Sequence, residues 1–314
     1  MSAALIIPVY KNEASIEELL QVLTPLAMHC PQPFEVVFVV DGSPDQSFSV
    51  LRQRLPEIGL HSRLILLSRN FGSFAAIRAG LQAVDAEFYA VMAADLQEPP
   101  ELILGFFDRL AADAADVVIG TRDSRADPLL SKLASSFFWW VYRKFVQVQM
   151  PAGGFDLFGC NRKFRDQLLR LAEVRSSLVG QVLWLGFRRH SLGYTRLRRK
   201  HGKSAWTFGK KLNYLQDSVF AFTDLPIRLL LSGGLIGIAV SVAVGMVVLT
   251  GRLTGTISVP GYAATVLLVL FFAALNLFGL GIVGSYAWRA YENSKRRPES
   301  IVIDQHNWPA KEES

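Results

Sequence analysis

Cysteine is scarce in this chain of 314 residues, which contains only Cys30 and Cys160. Two cysteines are too few for a disulfide framework, and neither has the Cys/His spacing of a zinc site around it. Both lie beside apolar runs, which favours buried thiols in a reducing compartment. The N-terminus, MSAALIIPVYK, has no positive segment before its apolar run, and Pro8 interrupts that run. It is a poor signal peptide, so we expect the large N-terminal domain to stay in the cytoplasm.

Charge is the second scarcity, because charged residues make up 19% of the chain against roughly 25% in soluble proteins. The net charge is +6, from 33 Lys and Arg against 27 Asp and Glu. The shortage is local: the 60 residues 229–288 contain one charge, Arg252. This distribution excludes a purely soluble protein, a disordered chain and a transporter with many spans. It predicts one large soluble domain followed by a short membrane module.

Short apolar runs alternate with helix-length amphipathic stretches over the first 120 residues. Runs rich in Val, Ile and Phe are typical of strands buried on both faces of a parallel sheet. Their alternation with helices predicts a doubly wound α/β fold. The predicted strands are Ala4–Val9, Phe34–Val40, Arg63–Ser68, Glu87–Ala94 and Asp116–Thr121. The predicted helices are Glu13–Met28, Gln46–Leu55, Ser73–Val84 and Pro99–Ala112.

Two of these strands run into a carboxylate. Asp41 follows FEVVFVV, and Asp95 follows FYAVMAA. Ligands of doubly wound sheets bind beyond the carboxyl ends of the strands, near the point where the strand order switches. A single Asp at such a position commonly forms a turn or caps a helix. Two of them at one edge of the sheet indicate a binding site.

The C-terminal part predicts two membrane spans. The first contains 23 uncharged residues, Leu229–Gly251, which is enough to cross roughly 30 Å of hydrocarbon. Lys and Arg cluster before the first span and after the second, so both ends are expected in the cytoplasm. Seven Lys and Arg between Arg196 and Lys211, followed by the amphipathic stretch Tyr214–Leu225, favour a helix at the membrane surface over a solvated charged face. Nucleic-acid binding is disfavoured, since no reader motif accompanies the charge.

The predicted organisation has five parts. They are a cytoplasmic α/β domain (1–204), a juxtamembrane amphipathic segment (205–226), two spans (227–251 and 261–288) and a cytoplasmic tail (289–314). Small residues in both spans permit close helix packing. Asn276 is the one clearly polar residue at depth, where it would join helices or subunits, and this leaves a homo-oligomer open.

Five motifs resemble the inverting family 2 glycosyltransferases of GT-A fold. They are IPVYKNE (Ile7–Glu13), VVDGSPD (Val39–Asp45), LSRNFGSFAAIRAGL (Leu67–Leu81), AADLQEPPELI (Ala93–Ile103) and GTRDSR (Gly120–Arg125). With the two spans and YENSKRRP (Tyr291–Pro298), the chain is similar to the polyisoprenyl-phosphate glycosyltransferases. That group includes dolichol-phosphate mannose synthase and the bacterial undecaprenyl-phosphate sugar transferases. The resemblance covers roughly residues 4–300.

The resemblance implies a GT-A catalytic domain, Rossmann-like with a mostly parallel sheet, followed by a two-helix transmembrane hairpin. It implies transfer of one hexosyl or N-acetylhexosaminyl group from a nucleotide sugar, with UDP favoured, to undecaprenyl phosphate. The reaction would be a single in-line displacement giving a β-linked product, in the service of cell-envelope glycan modification. The expected location is the cytoplasmic face of a bacterial inner membrane.

The resemblance also implies roles for individual residues. Those expected to bind the nucleotide sugar are Pro8, Tyr10, Glu13, Asp41, Asp95, Gln97, Arg199 and Lys203. Asp95 and Gln97 would face a Mg²⁺ or Mn²⁺ ion, which prefers such oxygen ligands. Those expected to bind the lipid phosphate are Arg122, Lys132 and Ser135. Asp156 falls where the family has its presumed catalytic base.

The chain departs from the family pattern at two carboxylates. Val40 and Ala93 stand where the family usually has Asp, which predicts weaker metal binding or a greater dependence on the substrate. It also keeps open a degenerate domain that acts as a non-catalytic membrane anchor or regulator. A processive polysaccharide synthase is the other alternative, but Gln181 lacks the Arg-Trp pair of the Gln-x-x-Arg-Trp signature.

Overall fold

The structure is a computed structural model that describes residues 1–124, 142–144, 149–151, 154–171, 173, 176–197, 208–254 and 261–310. Within these ranges the chain forms one eight-stranded sheet and nine α-helices. The strands are β1 (Ala3–Val9), β2 (Phe34–Val40), β3 (Ser62–Leu67), β4 (Phe88–Val91), β5 (Val117–Ser124), β6 (Phe155–Asn161), β7 (Arg189–Thr195) and β8 (Val302–Trp308).

The sheet has the order β7-β5-β6-β4-β1-β2-β3-β8 and is mostly parallel, as predicted. Neighbouring strands are parallel except where β6 meets β4 and β5, and where β8 meets β3. The central strands are apolar on both faces, and Leu5, Ile6 and Ile7 of β1 are fully buried. Their continuous apolar sequence is therefore explained by helices that cover both faces of the sheet.

The helices are α1 (Ile16–His29), α2 (Ser47–Ile58), α3 (Ser73–Ala83), α4 (Pro100–Ala111), α5 (Arg162–Arg170), α6 (Leu178–Trp184), α7 (Phe208–Phe222), α8 (Leu225–Leu253) and α9 (Tyr262–Ser294). Helix α1 packs beside α2 and α4, whereas α3 packs beside α5 and against β1 and β2. The four helices predicted between the first strands are thus confirmed, with ends shifted by a few residues.

Strand directions determine where the functional edge lies. Six strands point the same way, so the carboxyl ends of β1, β2, β3, β4, β5 and β7 lie along one edge. The antiparallel strands β6 and β8 start at that same edge. Residues that follow β2 and β4 therefore lie on the same edge as the end of β5 and the beginning of β6.

Strand β8 was not anticipated from the sequence. It lies in the range predicted to be a cytoplasmic tail, where Val302–Trp308 pairs with β3 and Ser68 N donates to the carbonyl of Ile301 (2.9 Å). The strand occupies an edge of the sheet, and most of its residues are exposed or half-buried. Its mixed polar sequence therefore lacks the apolar run that reveals a central strand. The predicted domain boundaries themselves stay a prediction.

Helices α8 and α9 are long and apolar enough to cross a membrane, judged by length and composition. The candidate spans within them are Leu225–Val247 and Phe271–Ser294. Both leave large apolar side chains such as Leu235, Val247 and Phe278 exposed, unlike the helices packed on the sheet. Such a surface fits a lipid environment better than water.

Candidate functional site

The loops after β1 and β2 are tied together by carboxylates. Glu13 N donates to Asp45 Oδ2 (3.1 Å), and Gln46 N donates to Glu13 Oε2 (3.0 Å). Lys11 N donates to Ser43 Oγ (2.8 Å), which adds a third link. Glu13, a predicted nucleotide-binding residue, therefore has a loop-stabilising role at the rim of the sheet.

Asp41 holds a third loop at the same edge. Its two carboxylate oxygens accept hydrogen bonds from Phe71 N (2.7 Å) and Gly72 N (2.8 Å), at the start of α3. The residue is buried, and this burial raises the pKa of Asp41 above its ordinary value, although the two backbone hydrogen bonds oppose the shift. Gly42 follows in a left-handed conformation, where a Cβ atom would lie 2.2 Å from the Arg69 backbone. Asp41 and Gly42 thus allow the loop after β2 to pack closely against the loop after β3.

Pro8 and Tyr10 lie next to these loops. Pro8 is half-buried in β1 opposite Val39, and Tyr10 is half-buried directly after the strand, with its N–H donated to Asn12 Oδ1 (3.0 Å). The Lys11 ammonium lies 5.5 Å from the centre of the Tyr10 ring. Four of the residues predicted to bind the nucleotide sugar, Pro8, Tyr10, Glu13 and Asp41, therefore lie together beside the carboxyl ends of β1 and β2.

The loop after β4 carries Asp95 and Gln97. Asp95 Oδ1 accepts from Gln97 N (3.4 Å), and Leu96 between them has a positive φ of 55°. Such a conformation is strained for a non-glycine residue and is often found at functional sites. The preceding residue is anchored, because Ser15 Oγ donates to the Ala94 carbonyl (3.0 Å).

Gln97 is bonded to the segment after β7. Arg196 Nη2 donates to Gln97 Oε1 (2.6 Å), and Gln97 Nε2 donates to the Leu197 carbonyl (3.3 Å). Arg196 was noticed in the sequence only as the first of a basic run, and its contact with the β4 loop was missed. The signal was weak, since nothing in a run of Lys and Arg singles out one member.

Glu98 is a second residue that sequence reasoning missed. It is 3% exposed, and its Oε2 has no hydrogen-bond partner among the described residues. Burial and the charge of Asp95 raise the pKa of Glu98 to about 7, against the lowering effects of Arg196 and Arg122. Glu98 therefore lies within electrostatic reach of the groups on both β4 and β5.

Arg122 and Asp156 form an ion pair at the same edge. Arg122 lies in β5 with 8% of its side chain exposed, and its guanidinium contacts the carboxylate of Asp156, the second residue of β6. Arg122 Nε also lies 3.4 Å from Tyr194 Oη of β7. The Asp156 side chain is 56% exposed, so the pair has one buried and one solvent-facing member.

The oxygen ligands at this edge suit a hard divalent ion only in part. Asp95 offers a half-buried carboxylate, but the Arg196 guanidinium already occupies the oxygen of Gln97 and would repel a cation there. Among the described residues, no three His, Cys, Asp or Glu side chains lie together in a way that could hold a metal. The donor set therefore fits an ion held by Asp95 and mostly by substrate oxygens. Gln97 as a ligand stays a prediction.

Several predicted site residues lie outside the described ranges. They are Lys132 and Ser135 on the acceptor side and Arg199 and Lys203 on the diphosphate side. The described residues nevertheless bring two predicted groups to one edge of the sheet, since Asp41 and Asp95 lie on the same edge as Arg122 and Asp156.

The chain is similar in sequence to known glycosyltransferases over most of its length. A family model described as glycosyl transferase family 2 matches residues 4–171. The uncharacterized glycosyltransferase sll0501 of Synechocystis is 30% identical over 306 residues, covering 96% of this chain and 94% of that protein. The undecaprenyl-phosphate 4-deoxy-4-formamido-L-arabinose transferase of Pseudomonas paraeruginosa is 33% identical over 304 residues, covering 95% of this chain and 88% of that protein.

Solved structures resemble the chain more distantly. The mannosyltransferase PcManGT from Pyrobaculum calidifontis, in complex with GDP-Man and Mn²⁺, matches with a TM-score of 0.44 and 16% identity. The match covers 92% of this chain and 84% of that one.

Proposed function

Because the chain belongs to glycosyl transferase family 2, we propose that it transfers a single sugar from a nucleotide sugar to a polyprenyl phosphate at a membrane surface. The choice of acceptor is supported by relatives named undecaprenyl-phosphate 4-deoxy-4-formamido-L-arabinose transferase, of which the match covers 88% and 92%. The donor would be a UDP-linked hexose or N-acetylhexosamine, and the product would serve cell-envelope glycan modification. The observation that carries the proposal is the Arg122–Asp156 ion pair, on the sheet edge that also receives the chain returning from α9.

The donor would bind beside β1 and β2. The rim there is preformed, because backbone N–H groups are bonded to Glu13, Asp41 and Asp45 before any ligand arrives. Tyr10 and Pro8 line the position for a base and ribose. Loops held in this way lower the ordering cost of binding.

The acceptor phosphate would bind at Arg122. A guanidinium recognises two oxygens of a phosphate in the same forked geometry that it uses for a carboxylate. Asp156, held by Arg122, would then lie next to the bound phosphate. A phosphate monoester is mostly dianionic at neutral pH because its second pKa is about 6, so Asp156 orients the attacking oxygen and accepts any remaining proton.

The reaction would then be one displacement at the anomeric carbon. The phosphate oxygen forms a bond to that carbon while the bond to the nucleoside diphosphate breaks, and the configuration inverts. Arg196 is a fixed cation beside the β4 loop, and it would stabilise the negative charge that develops on the leaving group. A Mg²⁺ or Mn²⁺ ion bound through Asp95 would supply further stabilisation of that charge.

Strand β8 supports the proposed membrane face. Because β8 pairs with β3, the segment after α9 lies on the same side of the membrane as the sheet, so α8 and α9 would cross an even number of times. Eight residue steps separate Ser294 from Val302, which allows at most about 30 Å between α9 and the carboxyl edge. With the basic residues around both spans, this supports a cytoplasmic catalytic domain in a bacterial inner membrane.

The proposal is tested by incubating the purified protein in vesicles that contain polyprenyl phosphate with a panel of labelled nucleotide sugars and Mg²⁺ or Mn²⁺. Formation of a lipid-linked monosaccharide is expected for one donor. A polymer would instead indicate a processive synthase. Failure with every donor, in vesicles where the protein is folded, would favour the non-catalytic anchor suggested by Val40 and Ala93.

The metal assignment has its own test. Asp95→Ala should abolish divalent-dependent transfer and weaken binding of Mn²⁺ in the presence of the nucleoside diphosphate, because it removes the carboxylate of the β4 loop. Electron paramagnetic resonance of Mn²⁺ measures the second effect without turnover. Near-wild-type Mn²⁺ binding and transfer would refute the role of Asp95.

A further inference from the structure

Arg78 is a buried cation outside the candidate site. It lies on α3 with 6% of its side chain exposed, and it pairs with Glu299, in the segment that follows α9. Its guanidinium also donates to the carbonyls of Leu168 (3.0 Å) and Leu169 (3.2 Å). Burying a charge costs desolvation free energy unless hydrogen bonds and an opposite charge compensate for it. The partners of Arg78 therefore have to come together from several segments of the chain.

A fourth partner of Arg78 is Gln181 Oε1 (3.3 Å), on α6. The residue before it, Gly180, contacts the end of α7 instead. A Cβ atom at Gly180 would lie 2.3 Å from Cε2 of Phe222. The Phe222 ring therefore packs directly on the α6 backbone. Helix α6 thus contacts the segment before α8 through Gly180 and the segment after α9 through Arg78.

The two membrane-proximal segments are also joined to each other. Arg289 of α9 pairs with Asp217 of α7 (2.6 Å) and lies 5.1 Å from the centre of the Phe220 ring. Tyr286 Oη lies 3.4 Å from the carbonyl of Thr223. These contacts close a ring that runs from α3 through α6, α7 and α9 and returns through Glu299 to Arg78.

We propose that the Arg78–Glu299 pair and the Gly180–Phe222 contact are positioning elements of the transfer reaction, which hold the carboxyl edge of the sheet at a fixed height over the bilayer. The inference rests on the proposed function, because it needs an acceptor whose phosphate lies at the membrane surface. A phosphate anchored by its lipid chain cannot follow the crevice if the catalytic domain tilts. A displacement of about 1 Å at a reacting centre lowers the rate by as much as about a hundredfold.

The test compares two acceptors in the same proteoliposomes. One is a long-chain polyprenyl phosphate embedded in the bilayer, and the other is a short-chain polyprenyl phosphate that reaches the crevice from water. Glu299→Gln removes the charge that pairs with Arg78, and Gly180→Ala displaces the Phe222 ring. For both variants we expect kcat/KM to fall about tenfold or more with the embedded acceptor and to change little with the soluble one.

Matched control variants lie in the catalytic domain, away from the closed set of contacts that links α3, α6, α7 and α9. Glu35→Gln breaks the half-buried pair with Arg63 (2.8 Å). Gly105→Ala, on α4, places a Cβ atom 3.1 Å from the Leu192 side chain of β7. Neither control should separate the two acceptors. If Glu299→Gln does not fold, the result for Gly180→Ala tests the proposal alone, because this variant keeps the Arg78–Glu299 pair.

Three outcomes would overturn the inference. An equal loss with both acceptors would mean that the contacts only stabilise the fold. If both variants transferred sugar to both acceptors at the wild-type rate, the two contacts would not position the domain. If the control variants also lost activity only with the embedded acceptor, the effect would not be specific to these contacts. Failure of the wild type to transfer sugar to either acceptor would overturn the proposed function instead, so the two failures are distinguishable.

Discussion

The proposed donor and acceptor sides of the crevice use their carboxylates differently. On the donor side, Glu13, Asp41 and Asp45 accept hydrogen bonds from backbone N–H groups, so that they hold loops. On the acceptor side, Asp156 is paired with another side chain, Arg122, and faces solvent. A carboxylate bonded to backbone N–H groups is part of the frame, whereas the guanidinium paired with Asp156 can bind an acceptor phosphate beside that carboxylate. We therefore expect mutations on the two sides to have different effects.

Asp156→Asn should give the largest effect, on the acceptor side. The amide keeps the shape but loses the charge that orients or deprotonates the phosphate, so kcat should fall by about 10² to 10⁴. Nucleotide-sugar affinity, measured by calorimetry, should stay the same. Asp113→Asn, at an exposed aspartate paired with Arg188, is the control and should leave kcat unchanged. Near-wild-type turnover would remove Asp156 from the reaction.

Arg122→Lys should come next. Lysine keeps the positive charge but lacks the planar fork, and a charge-assisted hydrogen bond contributes about 1.5–3 kcal/mol. The KM for the lipid acceptor should therefore rise about tenfold or more, while the KM for the nucleotide sugar changes little. Arg188→Lys, which alters a comparable pair at the other end of β5, should change neither constant. An equal rise in both constants would place Arg122 outside the acceptor site.

Asp41→Asn should show the donor-side behaviour. Its amide group cannot accept both N–H groups of Phe71 and Gly72, and a buried unsatisfied donor costs about 1–3 kcal/mol. We expect a lower free energy of unfolding in detergent solution and a higher KM for the nucleotide sugar, with the lipid KM unchanged. If the lipid KM rose and stability did not fall, the contrast between the two sides would be wrong.

Asp116→Asn should have the smallest effect, a change in stability without a change in transfer activity. Asp116 lies at the opposite edge of the sheet, away from both proposed binding sides. Hydrogen bonds from Arg188, and then from Asn161, hold the pKa of Asp116 below its ordinary value. The folded state therefore binds the proton more weakly than the unfolded chain, whose Asp pKa is about 3.9. This stabilisation is full above that pKa and is lost as the pH falls through the folded value.

The measurement for Asp116 is the denaturation midpoint as a function of pH. The denaturation midpoint of the wild type should be higher than that of Asp116→Asn near neutral pH. The difference between the two midpoints should become smaller as the pH falls. Transfer activity at neutral pH should be equal for the two proteins. A gap that widens with acidity would reverse the sign of the shift.

Much of the catalytic sheet could be predicted because its central strands are continuous apolar runs. The same reasoning placed Asp41 and Asp95 on one edge, since the carboxyl ends of parallel strands meet there. Strand β8 and the Arg78 ring escaped prediction because they depend on pairing between segments far apart in the chain. The contact of Arg196 with Gln97 is of the same kind, and so is the ion pair of Arg122 with Asp156. Local sequence patterns contain no information about such partners.

The pairing of β8 with β3 has a consequence for biosynthesis. Until residues 302–308 leave the ribosome, the outer edge of β3 has no partner strand, and such an open edge readily joins other chains. Helices α8 and α9 are made before that partner, so both apolar helices are complete before the sheet is. A nascent chain that stops short of residue 302 would therefore carry two exposed apolar helices together with an open sheet edge.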